Sequence, residues 1–391
     1  MDMRKVASGS NRGRSDEDIT PFPVAPDRYD QKNEMFKRPV WDEKVRKMGE
    51  QFYENILFRD KVGYRKEDFA FRNAAWSVER SVGMGNVRSN SGLYSWDGVP
   101  TQIKRLVDKA GKIGISPEEA SRMVKTVARF VGADLVGICK VEPNWIYSHE
   151  YDLLDRESRT VELPSQCKYA VVMAIAMDYE AIACSPSCVE GAAVGLGYSK
   201  MSMVSHMVAT FLRGMGYTAI PCGNDTALSI PLAMAAGLGE CGRMGLLITE
   251  KFGPRVRLCK VFTDLPLDCD SYRPFGVEEF CRTCKKCAIH CPSQAIPYGE
   301  KTSEGPSVSN QSGVLKWYIN PERCFEFWGK NGVECSTCNR VCPYNKPAGI
   351  LHDFVRAVSR RTPALNRFFV WMDTLAGYGR QKLSSKFWES R

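Results

Sequence analysis

The sequence predicts a mixed α/β (α+β) fold followed by a cysteine-dense region of different character. Three observations carry this: short apolar, β-branched runs that read as buried strands, amphipathic segments between them, and eight of the sixteen cysteines crowded between Cys281 and Cys342. The chain has 391 residues, 43% of them hydrophobic and 25% charged. That balance belongs to a globular chain with a sizeable core and excludes global disorder. The longest strongly apolar stretch, residues 170–177 (AVVMAIAM), is far shorter than the roughly 18–20 residues that span a bilayer.

Residues 1–30 read as an arm, because Pro21, Pro23 and Pro26 discourage regular structure. Helical patterning follows at 42–57 and 117–130, separated by a Gly/Ser-rich stretch at 83–98. Residues 133–141 and 169–177 are short, apolar and β-branched, hence strands. Met201, Val204, Val208, Phe211, Leu212 and Met215 recur along one side of a helix expected over 198–215. A strand at 217–221 and a helix at 228–236, closed by Gly237, come next. Strands at 246–250 and 256–262 are joined by a turn at Gly253-Pro254, and an aromatic helical tail ends the chain.

The cysteines carry the clearest chemistry. CRTCKKCAIHCP sets Cys281, Cys284, Cys287 and Cys291 in the C-x2-C-x2-C-x3-C-P spacing of bacterial ferredoxins. Three close thiolates cap one cubane, and the offset fourth serves a second cluster. Cys324 and CSTCNRVCP, with Cys335, Cys338 and Cys342, supply the reciprocal set. Cluster one therefore takes Cys281, Cys284, Cys287 and Cys342, and cluster two takes Cys324, Cys335, Cys338 and Cys291. Zinc also uses C-x2-C pairs, but two reciprocal C-x3-C-P endings argue for two [4Fe–4S] clusters. The other eight cysteines read as buried thiols.

A ferredoxin needs about 60 residues for this wire, and about 280 precede it here. The segments RYDQKNEMF near Arg28, GYSKM (197–201), GNDTALSIPLAMAAGLGE (223–240) and RMGLLITEKFGPRVRL (243–258), with the two cysteine motifs, resemble those of the corrinoid-dependent respiratory reductive dehalogenases. The resemblance implies an N-terminal arm and helical cap at 1–130 and a nitroreductase-like, corrinoid-binding core at 131–275. A ferredoxin-like two-cluster insertion at 276–346 and a basic aromatic extension at 347–391 complete the chain. It places a catalytic tyrosine at Tyr198, an orienting asparagine at Asn224 and a basic partner at Arg257, with Arg255 as substitute and cofactor contact. Tyr198 would supply the proton that accompanies two electrons when hydrogen replaces chlorine, and a guanidinium would stabilise the phenolate left behind. Without the resemblance, the same three residues read as a helix-start aromatic, a turn or cap residue and a strand-edge cation.

Gly223, Gly237, Gly239 and Gly242 are candidates for close backbone approach to a macrocycle. Phe36, Trp76, Tyr94 and Trp96 are candidates for lining an apolar substrate pocket or for core packing. None of His149, His206, His290 and His352 stands in D-x-H-x-x-G, so a corrinoid here would be base-off, as the resemblance implies. His206 reads as a helix residue near the core, and His290 as a residue that could tune a cluster.

The resemblance also implies an organohalide substrate, an external electron donor, a small membrane anchor protein, a homodimer and residence on the extracytoplasmic face of the membrane. On that reading a twin-arginine leader has been removed behind an added methionine. Compact length favours a chloroalkane such as chloroform over a chloroethene. The net charge of +9 suits a tRNA-acting epoxyqueuosine reductase, a second reading that would bring nucleic acid in as partner. A third is a pure electron-transfer subunit. GYSKM and GPRVRL favour the dehalogenases and a chain with no nucleic-acid partner.

Overall fold

A computed structural model of the chain describes residues 22, 26–54, 57–83, 92–98, 100–347 and 349–389. Most of the arm, including Pro21 and Pro23, and much of the Gly/Ser-rich stretch lie outside these residues. Four helices come first: α1 (Glu43–Tyr53), α2 (Lys66–Val78), α3 (Thr101–Ala110) and α4 (Pro117–Phe130). Asp42 caps α1 and Ser116 caps α4, each accepting a first-turn backbone N–H, and Pro117 at the first helical position needs no partner.

Next come β1 (Leu135–Lys140), the hairpin β2 (His149–Tyr151) and β3 (Ser158–Thr160), and β4 (Tyr169–Ala176). They are followed by α5 (Tyr179–Ala183), α6 (Cys188–Gly214), β5 (Ala219–Cys222) and α7 (Ser229–Ala235). The pair β6 (Glu240–Cys241) and β7 (Leu247–Ile248) precedes β8 (Val256–Thr263). Strands β1, β4, β8 and β5 form an antiparallel sheet in that order.

Both faces of this sheet are buried, which is why its strands read as unbroken apolar runs. Val171, Met173, Ile175, Cys259 and Val261 face α4 and α6 through Val124, Met201, Val204, Val208 and Leu212. Their neighbours in sequence, Val172, Ala174, Leu258 and Phe262, face α7 through Leu232, Ala233 and Met234. At roughly 25 cal/mol per Å2 of apolar surface, each such side chain stabilises the fold by about 1.5–3 kcal/mol.

The cysteine-rich region builds its own core around Phe275, Val277, Phe280, Ala288, Trp317 and Tyr344. It contains α8 (Val277–Cys284), α9 (Lys286–Ile289), α10 (Pro321–Asn331) and α11 (Thr337–Val341). Helices α12 (Ile350–Arg361), α13 (Asn366–Leu375) and α14 (Ser384–Glu389) end the description. Among the described residues no helix is long and apolar enough to cross a membrane.

Candidate active site

Helix α6 starts ten residues before the helix expected from the apolar pattern, so Tyr198 stands in its middle and is not a helix-start aromatic. The early turns escaped the periodicity because they are buried on nearly all sides. Ser187 caps them by accepting from the Glu190 backbone N–H. Three glycines then let neighbours close on the tyrosine. A Cβ on Gly197 would stand 2.9 Å from Arg257 Cγ, and one on Gly195 2.3 Å from Trp76 Cδ1. At Gly191 it would meet Arg72 Cδ at 3.1 Å.

The three expected site residues meet. Asn224 Nδ2 donates to the Tyr198 hydroxyl at 2.9 Å, and the Arg257 guanidinium carbon lies 5.0 Å from the Tyr198 ring centroid. Trp76 stacks on the same ring at 4.8 Å with 21° between planes. The Tyr198–Asn224 pair faces the open side, since Asn224 is exposed and Tyr198 half-buried. Behind it, Trp76 Nε1 donates to Glu334 Oε1 at 3.1 Å and Arg72 Nε to Glu334 Oε2 at 2.6 Å. Glu334 immediately precedes Cys335, so these bonds join the tyrosine's surroundings to the second cysteine motif.

Sequence reasoning missed Glu190, two helical turns before Tyr198. Its carboxyl is fully buried; the Ser336 hydroxyl lies near it, yet neither oxygen makes a hydrogen bond. Burial pushes its pKa up to about 8, with Glu334 adding to the rise and Arg257 and Arg72 opposing it. No sequence signal marks it, because its burial is a tertiary fact.

The remaining candidates fall elsewhere. Arg255 donates to the Met177 carbonyl at 2.8 Å and lies over Phe252 and Tyr179, away from Tyr198. Tyr94 donates to Glu79 Oε2 at 3.3 Å, and Trp96 packs on the α7 side of the sheet. Phe36 packs on Phe325 and Trp328 of α10, not at the tyrosine. The four glycines have internal reasons. A Cβ on Gly223, Gly237, Gly239 or Gly242 would lie 2.2–2.7 Å from Tyr94, Ser271, Ile248 backbone or Ile248 side chain respectively. Packing thus accounts for them without a ligand. His206 is half-buried with its Nδ1 3.2 Å from the Leu93 carbonyl, and His290 is exposed.

The eight cysteines of the two motifs gather in the crossed sets. Cys281, Cys284, Cys287 and Cys342 line one cavity with Arg243, Phe280 and Tyr344. Cys324 lies within electrostatic reach of Cys335 and Cys291, and Cys338 of all three and of Cys287, so the sets adjoin. Among the described residues no three His, Cys, Asp or Glu side chains are placed to hold a single metal ion. Burial pushes the thiols of Cys284 and Cys335 up to about 11, a cost that iron removes by binding the thiolate. Cys335 also feels Glu190, so the second set is the one beside the tyrosine.

A mixed core whose tyrosine is linked through Trp76 and Glu334 to the cysteine sets defines an iron–sulfur redox protein. Residues 150–267 match the family model described as the reductive dehalogenase subunit, and residues 280–345 the 4Fe-4S double cluster binding domain. The chain is 41% identical over 325 residues to a tetrachloroethene reductive dehalogenase of Desulfitobacterium hafniense, covering 73% of this chain and 59% of that one. It is 34% identical over 382 residues to the tetrachloroethene reductive dehalogenase of Sulfurospirillum multivorans, covering 90% and 76%. The solved structure of the catabolic reductive dehalogenase NpRdhA superposes with a TM-score of 0.72 at 23% identity, covering 93% of this chain and 49% of that one. The chain belongs to the reductive dehalogenase family. It spans about 59% of the length of the first of these relatives.

Proposed function

We propose that this protein reductively dehalogenates a small chlorinated aliphatic, replacing chlorine by hydrogen with two electrons and one proton and releasing chloride. The meeting of Tyr198, Asn224 and Arg257 beside the second cysteine set carries this reading. When bound, a base-off corrinoid would supply a strongly reducing, nucleophilic Co(I) centre. The chain's chemistry fits such a group in part. Arg255 Nε and Arg257 Nε are buried donors without partners, and the amide-bearing rim of a corrinoid offers acceptors. Arg255 is therefore the preferred contact, ahead of the four packed glycines.

In this reading Tyr198 holds the proton at its hydroxyl, and the Asn224 bond fixes that hydroxyl toward the open side. Arg257 stabilises the phenolate after transfer and attracts the departing halide. Trp76 covers the ring and gives the pocket an apolar wall. Clusters held by Cys281, Cys284, Cys287 and Cys342 and by Cys324, Cys335, Cys338 and Cys291 would supply the electrons.

The relatives are named for tetrachloroethene, which favours a chloroethene substrate. Chain length was the only support for a chloroalkane, and a chain spanning part of its relatives gives length no weight. The external electron donor, the homodimer, the membrane anchor protein and the extracytoplasmic location are proposed with the activity. Exposed Ile350, Phe354, Phe368 and Trp371 beside Arg360 and Arg361 form the candidate anchor surface.

The test is anoxic reconstitution with corrinoid, followed by metal analysis, EPR and chloride release from tetrachloroethene and chloroform. One cobalt, about eight irons and chloride release from either substrate support the proposal. Irons without cobalt after reconstitution would leave the electron-transfer reading in its place.

A further inference from the structure

Lys260 of β8 is fully buried, among the largest side chains in the molecule with no solvent exposure. It lies three residues after Arg257, so the two project from opposite faces of the sheet. Arg257 reaches Tyr198, and Lys260 reaches the loop that carries Asn224. Its Nζ donates to the carbonyls of Gly223 at 2.5 Å, Asp225 at 2.9 Å and Ala227 at 2.8 Å, with Ser229 Oγ at 3.2 Å. Three backbone carbonyls of five consecutive residues thus converge on one ammonium, two of them flanking Asn224.

Such convergence is unfavourable without a cation at its centre, because the carbonyl dipoles repel one another; the Asp225 carbonyl also accepts from the Ala227 N–H at 2.7 Å. The loop is also forced locally, since Thr226 holds φ at +66° and Gly223 N–H turns back onto Asp225 Oδ1 at 2.6 Å. A neutral residue on this strand would pack as well as its apolar neighbours. The position instead holds a charge, at the cost of burying it.

We infer that Lys260 is the positioning residue of the active site: it gathers the 223–227 carbonyls so that the Asn224 side chain meets the Tyr198 hydroxyl. The inference rests on the dehalogenase reading for its kinetic consequence, and on the loop geometry alone for its structural one. Lys260 touches neither substrate nor Tyr198, and acts through Asn224.

The experiment uses the iron- and corrinoid-loaded protein and the variants Lys260→Gln, Asn224→Ala and their combination. Lys260→Gln keeps two donors but no charge. Chloride release from tetrachloroethene or chloroform is expected to fall by about 10- to 100-fold in Lys260→Gln, with iron content retained. In the Asn224→Ala background the same change is expected to cost less than about twofold, because the residue it positions is gone. Multiplying effects would overturn the inference, for they would show Lys260 acting on the fold at large.

Hydrogen–deuterium exchange on the same variants needs no turnover. Amides 223–228 are expected to exchange at least about tenfold faster in Lys260→Gln while β4 and β8 stay protected. Unchanged exchange in the loop would overturn the inference even if wild-type protein proved inactive, an outcome that would instead sink the dehalogenase reading. Should Lys260→Gln not fold, Lys260→Arg serves. Its planar fork cannot centre three carbonyls on one atom, so normal iron with lowered turnover supports the inference, and wild-type turnover refutes it.

Discussion

At the scale of single residues, the Tyr198 hydroxyl is the atom on which the site converges, since Asn224 donates to it. Tyr198→Phe keeps the stack on Trp76 and the contact with Arg257 but removes the atom that Asn224 orients. Chloride release is expected to fall by at least about 100-fold, with cobalt and iron content unchanged. Near-normal turnover in that variant would remove Tyr198 as proton donor. A second residue-scale prediction concerns Glu79, which is buried and accepts from Tyr94. Burial pushes its pKa to about 7 from an ordinary 4.5, against the hydrogen bond from Tyr94. The folded chain therefore holds a proton that the unfolded chain releases between these values, so this group's contribution to stability falls as pH rises from about 4.5 to about 7. Glu79→Gln is expected to flatten the loss of melting temperature between pH 5 and pH 8 by the equivalent of about 3 kcal/mol. An equal slope in both proteins would show that the carboxyl is not buried as described.

Legibility at this scale divides by type of signal. The cysteine spacings singled out the eight thiols that the fold gathers within the residues matched to the 4Fe-4S double cluster binding domain, because thiolate geometry fixes sequence distance. Tyr198, Asn224 and Arg257 were legible only through resemblance, and without it each had an ordinary structural reading. Glu190 and Lys260 left no trace in the sequence, since a charged residue shows its purpose only when its surroundings are known.

At the scale of elements, the sheet was legible and the long helix only in part. Strands β1, β4 and β8 fell within two residues of the apolar runs that predicted them. The strand expected at 246–250 shortens to β7, which pairs with β6, a strand no apolar run announced, and stays apart from the four-stranded sheet. The first ten residues of α6 lack a polar face and so lack a period. Their glycines carry the information instead: Gly191 and Gly195 lie one turn apart where α2 crosses. Gly195→Ala tests this. Alanine would ordinarily stabilise a helix interior by up to about 1 kcal/mol. Here its Cβ would fall 2.3 Å from the Trp76 indole, which is fixed by Tyr198 on one contact and Glu334 on another. The clash is expected to win, with a net loss of about 1–3 kcal/mol and a shift in tryptophan fluorescence. A raised melting temperature would mean that Trp76 moves aside freely, and would remove it as a wall of the site.

At the scale of the whole molecule, the crossed cysteine sets join segments distant in sequence. Cys291 leaves the first motif to join Cys324, Cys335 and Cys338, while Cys342 returns to Cys281, Cys284 and Cys287. The second set lies beside Glu190 and Glu334, the first beside Arg243 and Tyr344. Cys291→Ser therefore discriminates the crossed arrangement from an uncrossed one in which each motif holds its own cluster. If the sets are crossed, the variant damages the cluster near Tyr198 and spares the other. Iron would drop from about eight toward about four per chain, and the surviving EPR signal would be insensitive to Glu190→Gln, since that carboxyl is felt at Cys335 of the damaged set. Turnover would be lost while a dithionite-reduced cluster remained visible. If the motifs are uncrossed, the surviving signal would be the one that Glu190→Gln shifts.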